Sequence, residues 1–106
     1  MAVGNAPVME ALVDINAASL ARTELDPRSL MLVRLAALAA VDAPASSYLL
    51  HIGPSAQAGV TAGDVEDVLV AVAPIVGTPR TASAAAKIVD ALGVAIELTL
   101  EDAETE

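Results

Sequence analysis

The chain has no cysteine, tryptophan or phenylalanine, one tyrosine (Tyr48), one histidine (His51) and five basic residues among its 106. Without cysteine there is no disulfide, no thiolate metal site and no thiol redox catalysis within the chain. A transition-metal centre is not expected either, because such a site needs several converging His, Asp, Glu or Cys ligands and only one imidazole is available. The five basic residues stand against fourteen acidic ones, a formal charge of -9. That balance speaks against nucleic acid as a partner, since phosphate binding needs clustered Lys and Arg. Glycine-rich phosphate loops are missing too; the glycines sit at helix boundaries, and no cofactor is expected.

Long apolar runs are also lacking, although 56% of the residues are hydrophobic and the mean hydropathy is +0.65. A membrane-spanning helix needs about 20 apolar residues. The run from Leu30 to Val41 carries Arg34 and stops at Asp42, and the run from Val68 to Val76 is short and contains Pro74. The first residues have no basic segment ahead of an apolar stretch, as a secretory signal would. These features predict a cytoplasmic protein with no membrane partner. So apolar a chain with so few aromatics must build its core from Ala, Val, Leu, Ile and Met, in one domain over residues 1–106. A domain this small buries a modest fraction of its surface alone, which favours self-association.

What the sequence does contain is helical punctuation and helical spacing. A first helix is predicted from Pro7 to Ala21, with Asn5 as a cap, Val8, Leu12 and Ile15 on one stripe, and Glu10 and Asp14 facing away. Asp26 followed by Pro27 caps a second helix that runs to about Val41 and is apolar nearly all round, as a central helix partly covered by a partner subunit would be. A third starts near Pro44, is expected to kink or break at Gly53-Pro54, and ends by Gly59. The fourth opens with Thr61-Ala-Gly-Asp64, a capping box with aspartate as the reciprocal residue, sets Val65, Val68, Leu69 and Val72 on one face, and should bend at Pro74. Thr78-Pro79 opens a fifth helix that should stop at Gly93. The partial alternation of Val94 to Leu100 reads as a strand or a short helix, and the acidic tail from residue 97 to 106, with its mobile last six residues, as a solubilising end.

In their order and spacing, the segments LDPRSLMLVRLAALAAVDAP, HIGPSAQAGVT, DVEDVLVAVAPIVGTP and RTASAAAKIVDALG resemble the carboxymuconolactone decarboxylase family, which includes the alkylhydroperoxidase-like proteins. The resemblance spans about Leu25 to Gly93. It implies a compact all-α domain of five to six helices and a homo-oligomer, commonly a trimer or hexamer. In the alkylhydroperoxidase branch a glutamate on the long helix precedes a C-x-x-C-x-x-x-H element. By position that histidine is His51, the cysteines are replaced by Pro44 and Ser47, and the glutamate falls near Met31. Neither serine nor proline can act as a peroxidatic thiolate, so the resemblance implies the fold without the peroxidase activity. The decarboxylase branch needs no cysteine and acts on a small anionic lactone, for which His51 with Arg34 or Arg80 would supply the chemistry. After Thr61, however, Gly63 and Asp64 stand where the family has paired glutamates.

The candidate catalytic residues are therefore His51, Ser47, Tyr48 and Arg34. Helical spacing places Ser47 and Tyr48 on the face of His51. His51 reads as a general acid or base, or as a helix-end histidine bonded to a backbone carbonyl. Ser47 lacks the Gly-x-Ser-x-Gly elbow of a hydrolase nucleophile. Tyr48 is either a packed core ring or a pocket-lining donor. Arg34, inside an apolar helix, should reach solvent or pair with a carboxylate such as Glu66 or Asp67. Two functions remain open: a non-peroxidase family member that binds a small molecule, or serves structurally, as a homo-oligomer; or a small-molecule lyase acting on an anionic lactone or carboxylate through His51.

Overall fold

In the computed structural model, residues 2–105 are described, and side chains over 6–98. Five helices follow one another: α1 (Ala2–Arg22), α2 (Pro27–Ala40), α3 (Ala45–Gln57), α4 (Ala62–Val76) and α5 (Thr78–Thr105). No strand occurs among the described residues, so the all-α expectation holds.

The core forms where α2, α3, α4 and α5 meet, and it is closed by small side chains. Leu35 and Ala39 of α2, Ala43, Tyr48 of α3, and Ala84 and Ala91 of α5 make one buried cluster. Leu38, Leu49, Ile52, Val65, Leu69 and Ile88 pack around it. Met31, Leu35 and Ala39 recur every four residues, which puts them on one face of α2. Alanine at the crossing points lets helix backbones approach closely, and Tyr48, only 2% exposed, is the one large side chain fully enclosed among the described residues.

Local chemistry fixes the helix starts. Asp26 accepts from the Ser29 N–H at 3.1 Å and the Ser29 hydroxyl at 2.7 Å ahead of Pro27. At α4 the expected capping box is formed: the Thr61 hydroxyl accepts from the Asp64 N–H and the Asp64 carboxylate accepts from the Thr61 N–H. Asp64 also meets Arg28 at 2.7 Å, which ties the start of α4 to the start of α2.

The end of α2 is a Schellman turn. The Ala43 N–H donates to Leu38 and the Asp42 N–H to Ala39, with Asp42 in the left-handed position at φ 53. Glycine is usual there; the aspartate instead makes use of its side chain, accepting from Lys87 at 2.9 Å and Ser83 at 2.8 Å on α5. Between α4 and α5 the chain turns at Gly77, whose φ of 96 and ψ of 152 lie in a region essentially reserved for glycine.

Several boundaries differ from expectation. α1 starts at Ala2, so Asn5 lies inside it and does not cap it. α3 is not broken at Gly53-Pro54 but continues to Gln57; the proline loses only the bond to Leu50, near the solvent face, and the neighbouring turns hold. α5 passes through Gly93 to Thr105. A glycine there costs about 1 kcal/mol relative to alanine, yet no strand among the described residues could pair with residues 94–100, and continuing the helix satisfies their backbone groups. The expected mobile end thus falls largely within α5; Glu106 and the side chains from 99 onward lie outside the described residues.

α1 departs most. It makes no close backbone approach to the other four helices, and the stripe read as its buried face is open: Val8, Leu12 and Ile15 are 58%, 54% and 65% exposed. Its side-chain tie is Arg34, whose guanidinium donates to Asn16 Oδ1 at 2.7 Å and Ser19 Oγ at 3.0 Å. The carboxylate partner expected for Arg34 is not used; Arg28, at the start of α2, is the arginine that reaches α4.

Two predictions follow from these anchors. Thr61→Ala should lower stability by about 1 kcal/mol, measured by urea unfolding. The Lys87 ammonium and then the Ser83 hydroxyl hold the Asp42 carboxyl below its ordinary 3.8. A depressed folded value means stability that is full above the unfolded value and lost as pH falls through the folded one. Thermal unfolding should therefore fall more steeply for the wild type than for Asp42→Asn as pH drops below about 4.

Candidate functional site

One face of α3 carries Tyr48, His51, Ile52 and Ser55, spaced by three and four residues, and this face looks onto a cavity of about 370 Å³. Leu35 of α2 closes one end. The start of α4 contributes Thr61, Val65, Glu66 and Leu69, and α5 contributes Ala85, Ile88, Val89 and Leu92, again at helical spacing. The volume is that of a small-molecule site. Its lining residues are aliphatic apart from Tyr48, His51, Ser55, Thr61 and Glu66.

His51 is half-buried, and its Nδ1 lies 2.7 Å from the main-chain carbonyl of Ser47. A carbonyl oxygen can only accept, so Nδ1 carries the proton and, in the neutral ring, Nε2 keeps its lone pair. The ring thus has the helix-end backbone bond anticipated from sequence, and that bond also fixes which nitrogen is left to accept. The hydroxyl of Ser47 is not its partner, and Ser47 is not in the cavity wall, so serine and histidine do not form a nucleophile and base.

Tyr48 is in the wall and in the core at once. Its hydroxyl and that of Ser55 are buried with no hydrogen-bond partner in the protein. Burial, with a smaller contribution from the Asp42 charge, pushes the phenol up from its ordinary 10.0, so it stays protonated at neutral pH.

Neither candidate arginine lines the cavity. Arg34 is held on the α1 side by Asn16 and Ser19, and Arg80 donates to the carbonyl of Ala40 at 2.7 Å, at the C-terminal end of α2 where a cation is favourable. Met31 is buried but lines a different groove, with Leu20, Leu25 and Pro54. Neither Ser55 nor Glu66 was a candidate site residue from sequence. Ser55 is one turn beyond His51 on the same face, a relation concealed by the break expected at Gly53-Pro54; Glu66 was expected as a partner for Arg34 and instead lines the cavity. No cluster of three or more His, Asp or Glu that could hold a metal occurs among the described residues, and no helix among them is long and apolar enough to cross a membrane.

An all-α chain with a half-enclosed aliphatic cavity beside one imidazole is the class that fold and site define. The chain belongs to the carboxymuconolactone decarboxylase family, whose family model matches residues 6–91. No curated protein and no solved structure matches it. Among its relatives by family it is a cysteine-free member.

The orphaned phenol gives a direct test. Tyr48→Phe keeps the ring and removes a buried hydroxyl that meets nothing in the protein, so calorimetry should show stability rising by about 1 kcal/mol.

Proposed function

We propose that this protein is a non-peroxidase member of its family that binds a small molecule in the His51 cavity and works as a homo-oligomer of three or six subunits. The observation that carries the reading is the cavity itself: a recess of about 370 Å³, largely aliphatic, with an imidazole of fixed tautomer at its wall and no sulfur nucleophile anywhere in the chain. Pro44 is the N-cap of α3 and Ser47 lies in its first turn, so the positions matching the family's thiols hold groups that cannot reduce a peroxide.

Assembly is supported by α1. A helix with Val8, Met9, Leu12, Val13 and Ile15 all more than half exposed, and with no close backbone approach to the other four helices among the described residues, leaves an apolar surface of the kind that a second subunit covers. The second reading, a lyase acting on an anionic lactone or carboxylate, is favoured by the accepting Nε2 of His51. It needs a cation beside that histidine, which a neighbouring subunit would have to bring.

Native mass spectrometry tests the assembly and the cavity together. The wild type should appear at three or six times the 10.6 kDa chain mass, and Leu12→Asp combined with Ile15→Asp should reduce it to single chains that keep their helical circular dichroism. A wild type that flies as one chain overturns the assembly. Ala85→Phe, which fills the cavity, should abolish any retained or added small ligand; ligands that persist in this variant would place binding elsewhere.

A further inference from the structure

We infer that the cavity takes a neutral, mainly apolar molecule that offers a hydrogen-bond donor, such as an alcohol or phenol, and discriminates against carboxylates. The inference deepens the proposed function and rests on the cavity being a binding site.

Three observations converge on it. First, the basic residues are committed elsewhere. Arg28 meets Asp64, Arg34 meets Asn16 and Ser19, Arg80 meets the Ala40 carbonyl, and Lys87 meets Asp42; none of them, nor Arg22, is in the cavity wall. Burying a carboxylate without a cation is strongly unfavourable. Second, the charge already at the wall is negative. Glu66 lines it, and the start of α4, whose N–H groups would otherwise attract an anion, is met by the carboxylate of Asp64. The Thr61 N–H, then the Arg28 charge, hold that carboxyl below its ordinary value, so it is ionised at neutral pH. Third, His51 and Glu66 offer acceptors at the wall, while the hydroxyls of Tyr48 and Ser55 are buried out of a ligand's reach. With Nδ1 bonded to Ser47, neutral His51 offers only the Nε2 lone pair, and the Glu66 carboxylate is acceptor-only. A ligand O–H would satisfy either of them while its carbon frame covers Val65, Ile88 and Leu69.

The test compares three near-isosteric probes on the assembled protein at mildly alkaline pH, by following the amide resonances of His51, Val65 and Ile88. Benzyl alcohol has the donor, anisole is its isomer without one, and benzoate carries the negative charge. Benzyl alcohol should bind about two- to tenfold more tightly than anisole, the range of one net hydrogen bond, and benzoate more weakly than both. Glu66→Gln, at an exposed position where folding is not at stake, should improve benzoate severalfold and leave anisole unchanged. Tightest binding by benzoate would overturn the inference while keeping the small-molecule reading, and would point to a cation from a neighbouring subunit. Equal binding of anisole and benzyl alcohol would remove the donor requirement. Failure of all three to move the cavity resonances would overturn the binding reading itself.

Discussion

The close approach of helices across Ala39, Ala43, Ala84 and Ala91 governs the rest of this structure. Ala39 on α2, Ala43 in the turn before α3, and Ala84 and Ala91 on α5, each at most 6% exposed, let these elements pack closely, and Tyr48 is buried in the same cluster. With no phenylalanine or tryptophan in the chain, little else can reach across the gaps that such crossings leave farther out. The cavity between α3, α4 and α5 is the consequence. Aliphatic side chains of middling length line it without meeting in its middle, and protein interiors normally do not tolerate such space unless something occupies it or a neighbouring surface closes it. The same scarcity explains why so few large residues are buried and why the open face of α1 matters to the stability of a chain this short.

The features legible in sequence are those whose chemistry is local. Asp26 with Pro27, and Thr61 with Asp64, announce helix starts because a cap and its partner sit within three residues of each other. The family pattern placed His51 correctly on the helix after α2. What the sequence concealed depends on distant contacts or on the resolution of competing local preferences. Gly53-Pro54 and Gly93 look like stops, yet helices continue through both, because uninterrupted backbone hydrogen bonding outweighs one poor residue when no alternative partner is near. In sequence Asp42 only ends an apolar run; its left-handed turn becomes comprehensible once Lys87 and Ser83 arrive from 45 and 41 residues away. Ser55 was hidden behind the break expected at Gly53-Pro54, and Glu66, expected as a partner of Arg34, lines the cavity because Arg34 turns to Asn16 and Ser19 of α1.

Charge is used here for bracing. A strongly acidic chain would be expected to aim its few cations at a ligand if it acted on anions, but four of the five basic side chains bind groups of the protein itself. Arg28 joins the starts of two helices, Lys87 joins a turn to α5, Arg80 satisfies the carbonyl end of α2, and Arg34 tethers α1. Three of them bind at an element boundary and Arg34 at the contact between two helices, and the exposed ones contribute modestly because solvent screens them. None of these cations is in the cavity wall.

That division bears on how the family fold is kept in a chain without cysteine. The thiol positions fall at the N-cap and first turn of α3, where proline and serine are good helix starters in their own right. Replacing cysteines there leaves the helix start intact, and the alanine-lined crossings do not involve those positions at all. His51 is also held by structure, through the Ser47 carbonyl, independently of any thiol. The scaffold, the histidine and the recess beside it are therefore held by contacts that involve no side chain at those two positions. No lysine or arginine is among the residues that line the recess, so a cation to stabilise developing negative charge beside the histidine would have to come from outside this wall.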